Sequence, residues 1–327
     1  MPAPFASFLQ ATLDGTFTVP ETFPVPGGQA TWRGEGILSL APRQWDARSP
    51  ALVLSAGIHG NETAPIELLD ALISDILGGR QNWNVPLLAI FGNPPAMRQQ
   101  ARFIDFNLNR LFMDGWQTRP ESEYETGRAA ELAQHLDAFL HNTRPAVHYD
   151  LHTAIRPSAI EKFALWPWHK GEPCPDQEML WLGAAGIEAL LSQHAPARTF
   201  SAHSRRRWGI PAFTLELGKV RPFGENDLSR LNALDRVLRD HLSGQVSPPA
   251  DSALPARFRV VEEVLNTGEG FRLCVTPETP NFTRYAEGEL VWEDHRTRWH
   301  APSPVHIVFP NPDVPPGQRA ALLVQPE

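Results

Sequence analysis

Three short polar clusters interrupt apolar segments of this chain, and each carries residues able to bind a metal or move a proton. The first is "HGNE", where His59 and Glu62 stand three residues apart between "ALVLSAGI" and "TAPIELLDALISDILGG". The second is "HYDLH", residues 148–152. Strand side chains alternate, so His148, Asp150 and His152 share one face while Tyr149 and Leu151 share the other. The third is "FTLELG", residues 213–218, in which Glu216 is flanked by Leu215 and Leu217 at the edge of an apolar core. Such surroundings raise a carboxyl pKa, as a general base requires.

Catalytic zinc typically takes three protein ligands from histidine and carboxylate and keeps a fourth position for water, and His59, Glu62 and His152 would supply that set. Asp150 would then orient a ligand imidazole, or act as a ligand itself. Each cluster alone has a plainer reading. A His-x-x-Glu in a loop is commonly surface decoration, a strand histidine is commonly a hydrogen-bonded core residue, and Glu216 could cap a helix or sit in an ion pair. Their joint position favours a site, because all three fall at the carboxyl edge of one predicted sheet, where open α/β sheets bind ligands.

Between the first two clusters lies "NPPAMRQQARFIDFNLNRLF", residues 93–112, with Arg98, Arg102, Asn109 and Arg110. It has little periodicity, yet too many apolar residues for disorder, which suits a functional loop. Arg102 and Arg110 are the stronger candidates for gripping a carboxylate, whereas Arg98 divides evenly between that role and surface charge. The run "SRRRWG" at 204–209, with Arg205, Arg206 and Arg207, reads as a solvated face and only secondarily as an anion grip.

The elements that must hold these residues follow from periodicity. "ALVLSAGI", "VPLLAIFG" and "AVHYDLH" read as strands, and "ESEYETGRAAELAQHLDAFLHN" as an amphipathic helix. A helix begins just after Glu62, with Ile66, Leu69, Ile73 and Leu77 on one stripe and Pro65 in its first turn. Two more are expected over "DQEMLWLGAAGIEALLSQ" and "NDLSRLNALDRVLRDHLSG". The alternation is that of an α/β protein. Near residue 245 the stretch "GQVSPPADSALPA" has linker composition, and beyond it only short strand-like pieces occur. A catalytic domain over 1–245 and a smaller β-rich domain over 257–327 are therefore expected.

Composition narrows the partners. With 327 residues, 42% hydrophobic and 20% charged, the chain can bury a large core. A net charge of −8 disfavours nucleic acid, though not a local cationic pocket for a small anion. The two cysteines, Cys174 and Cys274, form no thiolate motif, and no 18-residue apolar stretch or basic-then-apolar leader is present. A cytoplasmic protein with no membrane partner is expected, and assembly into homo-oligomers stays open.

"GIHGNETAPIELL", "NPPAMRQQARFIDFNLNRLF", "YDLHTAIR" and "TLELGKVRPFGENDLSRL" together resemble the succinylglutamate desuccinylases, in the aspartoacylase branch of the zinc carboxypeptidase-like superfamily. The four motifs occur in that family's order, and the resemblance is strong over residues 50–240. It implies a mixed central sheet flanked by helices, one Zn2+ per subunit, and hydrolysis of the small anionic acyl-amino acid N-succinylglutamate to succinate and glutamate in bacterial arginine catabolism. His59, Glu62 and His152 match the family's zinc ligands and Glu216 its general base and acid. Arg102 matches the arginine that polarises the scissile carbonyl, while Asn109 and Arg110 match the pair that grips a substrate carboxylate. The C-terminal β domain is implied to narrow the entrance. The alternatives are another acyl-amino-acid amidohydrolase, such as one acting on N-acetylaspartate, a peptide-cleaving relative, and a non-catalytic metal-binding relative.

Overall fold

A computed structural model of the protein describes residues 5, 7–16 and 20–327. The N-terminal stretch 1–15, on which the expectation about a leader rests, lies partly outside them. The α/β architecture rests on a thirteen-stranded mixed sheet. At its centre four parallel strands lie side by side in the order Leu87–Phe91, Ala51–Ala56, Ala146–Ala154 and Ala212–Lys219. Every residue of the first three is buried, as befits parallel strands covered on both faces.

Alternation divides the core into two layers. Leu52 and Leu54 pack on one side with Leu69 and Ile73 of the helix Thr63–Leu77 and with Leu234 and Leu238 of the helix Asn232–Leu242. Ala51 and Val53 face the other side, with Leu132 and Leu136 of the helix Tyr124–Asn142 and Phe200 of the helix Phe200–Trp208. The apolar stripe that follows Glu62 is thus buried, with Pro65 three residues into its helix.

Beyond the parallel centre, Lys162–Trp166 runs antiparallel to Ala212–Lys219, and Ala189–Ser192 follows it in parallel. The sheet then continues into the C-terminal region, where Ala256–Leu265 pairs in parallel with Ala189–Ser192 and in antiparallel fashion with Arg319–Pro326. The strands Val305–Val308 and Thr283–Tyr285 end it on that side, the antiparallel strands Ile37–Pro42, Gly28–Gly34 and Glu21–Val25 extend it beyond Leu87–Phe91 on the other, and a separate three-stranded sheet comprises Arg272–Leu273, Leu290–Glu293 and Arg298–His300. The two parts of the chain therefore share one hydrogen-bonded sheet.

Two local expectations are corrected. The helix expected over "DQEMLWLGAAGIEALLSQ" covers only Asp176–Ala184, because Gly186 takes the left-handed φ of 77° and turns the chain into the strand Ala189–Ser192. Pairing on both edges of that strand overrides the helical preference of Glu188-Ala189-Leu190-Leu191. The segment 93–112 is not wholly irregular: Asn93 caps a short helix, Pro94–Arg98, and Asn107 caps a 3-10 turn, Leu108–Arg110.

Candidate metal centre

The turn carrying "HGNE" joins the strand Ala51–Ala56 to the helix Thr63–Leu77, with Glu62 in the N-cap position. Gly60 lets the helix Pro94–Arg98 approach, since a Cβ there would stand 2.2 Å from the Ala96 carbonyl carbon. The neighbouring strand Ala146–Ala154 presents His152. One ligand atom each of His59, Glu62 and His152 lies within 4.8 Å of the others, all buried. His59 Nδ1 is 2.8 Å from Glu62 Oε1 and His152 Nδ1 is 2.8 Å from Glu62 Oε2. Glu62 also accepts from Arg102 Nη1 at 2.8 Å and from the Thr153 N–H at 3.1 Å. Burial alone would raise its pKa, but the two imidazoles hold it well below the ordinary carboxylate range.

The other ring nitrogens decide whether this set fits a metal ion. The Asn109 N–H donates to Asn107 Oδ1, which makes that atom an acceptor, and His59 Nε2, 2.9 Å from it, must be the donor. His152 Nε2 donates to Asp150 Oδ2 at 3.1 Å, a charged acceptor nearer than Asn109 Nδ2 at 3.4 Å. Both Nδ1 atoms are thereby turned on the Glu62 carboxylate, where a lone pair repels unless a cation lies between. At His152 a proton can be that cation in the metal-free protein: burial alone would lower its pKa, but the charges of Asp150 and Glu62 raise it well above the ordinary imidazole value, whereas burial presses His59 down to about 4. A metal ion in that position would satisfy all three donors at once, so the set fits one, with imidazoles oriented in the way ligand histidines usually are.

A buried hydrogen-bond chain backs the cluster. The Ser55 hydroxyl donates to Asp150 Oδ1 at 2.5 Å, so His148 Nε2, 2.9 Å from Ser55 Oγ, is a donor. His148 Nδ1 then accepts from Ser204 Oγ at 2.6 Å. His148 is neutral, its pKa pushed down to about 4 chiefly by burial. It orients Asp150 through Ser55 and stands one hydroxyl away from any ligand role.

Glu216 is the direct cross-strand neighbour of His152. It is 7% exposed, its Oε2 has no hydrogen-bond partner, and burial followed by the charge of Glu62 raises its pKa to about 7. A carboxylate in that condition can take up and return a proton at neutral pH.

The arginine-rich loop divides by geometry. Arg102 reaches Glu62 and remains 31% exposed. Asn109 is held by the Phe200 N–H, which donates to its Oδ1 at 3.0 Å, and Arg110 donates to the Asn109 carbonyl at 2.9 Å. Burial, then the charges of Arg319 and Arg102, press the Arg110 pKa down to about 9. Arg98 instead ties down the Leu13 and Thr12 carbonyls and pairs with Glu35, away from the cluster. Arg205 lies 3.8 Å above the Trp166 ring and pairs with Glu172 at 3.0 Å, and Arg207 stands 3.5 Å from Asp137, so both have structural partners.

Ser55, Asn107 and Ser204 belong to this site and were not singled out by sequence. Ser55 had a local signal, as the one polar residue in the apolar run 51–56. Asn107 also had one, as an N-cap residue two positions before Asn109. Ser204 had none, since only the packing of its helix on the sheet brings it to His148.

Comparison with known proteins gives a consistent family. Residues 48–242 match the model described as the succinylglutamate desuccinylase/aspartoacylase catalytic domain, and residues 255–327 match the AstE/AspA barrel-sandwich hybrid domain. The chain is 42% identical to a succinylglutamate desuccinylase of Chromobacterium violaceum, covering 98% of this chain and 97% of that one. Identity is also 42% to the Pseudomonas aeruginosa protein of the same name, over 97% of this chain and 93% of that one. Among solved structures, the Vibrio parahaemolyticus desuccinylase superposes with a TM-score of 0.91 at 34% identity, covering 98% of this chain and 95% of that one. The Chromobacterium violaceum structure gives 0.88 at 38% identity, covering 100% and 99%. This chain belongs to the succinylglutamate desuccinylase/aspartoacylase family.

Proposed function

We propose that the protein is a zinc-dependent amidohydrolase that cleaves N-succinyl-L-glutamate to succinate and L-glutamate, the step expected in arginine catabolism by succinyl transfer. The observation that carries this reading is the buried convergence of His59, Glu62 and His152 beside Glu216, in a chain whose whole-length relatives bear the desuccinylase name. His59, Glu62 and His152 would hold one zinc ion per subunit, which when bound lowers the pKa of a water towards ~7 and polarises a carbonyl.

The chain's own residues do the rest. Asp150 fixes the ring of His152, while Asn107 fixes that of His59. Glu216, raised in pKa and free at Oε2, takes the proton of the attacking water and returns it to the leaving amine. Arg102 turns positive charge towards the oxyanion that develops at the scissile carbonyl. Asn109 and Arg110 grip a carboxylate of the substrate, and the C-terminal region narrows the entrance so that small acyl-amino acids are preferred over peptides. No helix among the described residues is long and apolar enough to cross a membrane, and Cys174 and Cys274 are free thiols, which together support a cytoplasmic placement.

The test is release of free amine from N-succinyl-L-glutamate and from N-acetyl-L-aspartate, with and without a chelator. Chelator-sensitive cleavage of the succinyl compound is expected. Preference for the acetyl compound would keep the chemistry and overturn the substrate, and no cleavage of either would favour a non-catalytic metal-binding protein.

A further inference from the structure

Arg319 opens the strand Arg319–Pro326 and pairs with Leu265, in the C-terminal region and far along the chain from every residue placed in the site so far. Its side chain is only 16% exposed, and its ion-pair partner, Glu263 Oε1, is a distant 4.0 Å away. Among the described residues no side-chain hydrogen bond holds its guanidinium. A guanidinium carries five donors, and one this enclosed ordinarily finds acceptors.

Its location follows from a chain of contacts. Arg319 Cζ lies 5.9 Å from the ring centroid of Phe309, and that ring is 5.6 Å from Phe163. Phe163 is in turn the cross-strand partner of Glu216, and residues directly opposed in an antiparallel pair share a face. The C-terminal region thus delivers Arg319 to the Glu216 face of the sheet. The platform beneath it is held in a disfavoured backbone: Phe309 has φ 55° and Phe282 φ 65°, left-handed values that bulky residues rarely adopt. The Phe309 N–H donates to Asn281 Oδ1 at 2.8 Å, and Phe282 packs 5.1 Å from Phe163, which fixes both rings. Strain of this kind persists where the surroundings over-determine a position, and it clusters at ligand clamps.

The electrostatics agree with the placement. After burial, the charge of Arg319 is the next cause that lowers Arg110, ahead of Arg102, and the charge of Glu216 acts on Arg319 in turn. The charges of Arg319 and Arg102 thus both reach Arg110, with Glu263, itself 43% exposed, as a weak counter-charge.

We infer that Arg319 binds a second carboxylate of a multiply acidic acyl-amino acid, the one remote from the carboxylate held by Asn109 and Arg110. The inference rests on the amidohydrolase reading and deepens it, since it assigns the C-terminal region a direct contact with substrate. N-Succinyl-L-glutamate offers either its succinyl terminus or its glutamate side-chain carboxylate to this group, the α-carboxylate being left to Asn109 and Arg110.

The experiment uses the full-length, metal-loaded protein and three substrates: N-succinyl-L-glutamate, N-butyryl-L-glutamate without the succinyl carboxylate, and N-succinyl-L-glutamine without the side-chain carboxylate. Losing a charge-assisted contact, Arg319→Gln should lower kcat/KM for N-succinyl-L-glutamate by about 30-fold, mainly through KM. It should lower one truncated substrate by a similar factor and the other far less, because the latter already lacks the carboxylate that Arg319 binds. Which substrate escapes identifies the carboxylate. Equal losses on all three substrates, or a KM for N-succinyl-L-glutamate within twofold of the unaltered protein, would overturn the assignment. Should the glutamine variant fail to fold, Arg319→Lys carries the same test, with a smaller loss showing the same substrate selectivity. If the unaltered protein cleaves none of the three, the desuccinylase reading falls and this inference with it. Cleavage by the unaltered protein combined with uniform losses removes Arg319 alone.

Discussion

Glu62 and Glu216 are both buried carboxylates at one edge of one sheet, and they are built in opposite ways. Glu62 is surrounded by two imidazoles, a guanidinium and a backbone N–H, and it is held anionic. Glu216 leaves one oxygen without a partner, and its pKa is driven up to about 7. A saturated carboxylate stays where it is and keeps its charge, which suits a ligand. An unsaturated one is a group whose proton can come and go. The same contrast separates the flanking cations, since Arg102 is tied to Glu62 whereas Arg319 has no close partner.

The comparison breaks most severely on the saturated side. His152→Ala removes one of three converging donors and should bring the bound metal to well below one per chain and turnover to background, as read by metal analysis and amine release. A full metal complement in that variant would transfer the ligand role to Asp150. Glu216→Gln should instead keep the metal and lose about 10²–10⁴-fold in kcat, the range of general acid–base catalysis. In the unaltered protein kcat/KM should fall as pH drops through the pKa of Glu216, because the base must be deprotonated to work; that pKa is about 7 without metal and lower with a cation bound beside it.

Glu216→Gln also has a stability signature of definite sign. A carboxyl raised from 4.5 to about 7 by folding makes the native state the better proton acceptor over that interval. Its favourable contribution is complete below pH 4.5 and is lost as pH rises through 7. In metal-free protein the glutamine variant should be more stable than the parent by up to about 3 kcal/mol at pH 8, and by almost nothing at pH 4. Urea unfolding at the two pH values reads this directly, and an equal effect at both would mean that Glu216 is ordinary in its protonation. Next in size, Arg102→Ala should lower kcat by about 100-fold through loss of oxyanion stabilisation. A loss expressed only in KM would make Arg102 a substrate-binding residue.

Much of this contrast was legible in the chain because it sits on strong local patterns. The apolar run before His59, the stripe after Glu62 and the two-residue period of "HYDLH" fix which side chains share a face, and the structure reproduces all three. The strand at 189–192 was not legible, since its preference is helical and only neighbouring strands claim it. Arg98 and Arg102 look alike in sequence, and only tertiary packing sends one to Glu35 and the other to Glu62. Arg319 lay in the part of the chain with the weakest local signals, where its importance depends on which sheet edge it reaches.

The smallest expected effect tests whether saturation on the metal side extends beyond its first neighbours. Ser55 links His148 to Asp150, and Asp150 holds the ring of His152. Ser55→Ala removes the donor to a fully buried carboxylate oxygen while leaving every ligand atom in place. Asp150 then has one anchor fewer, and the His152 ring is less firmly aimed. The affinity for zinc, measured against a competing chelator, should weaken by about tenfold, the lower end of what such supporting groups contribute. With metal at saturation, turnover should recover most of its value, because neither Glu216 nor Arg102 depends on Ser55. Ser204→Ala, one hydrogen bond further out, should weaken metal binding less than Ser55→Ala does. If the two variants weaken binding equally, the chain acts as one rigid unit; if neither does, Asp150 is positioned by packing alone and the hydroxyls only satisfy buried atoms.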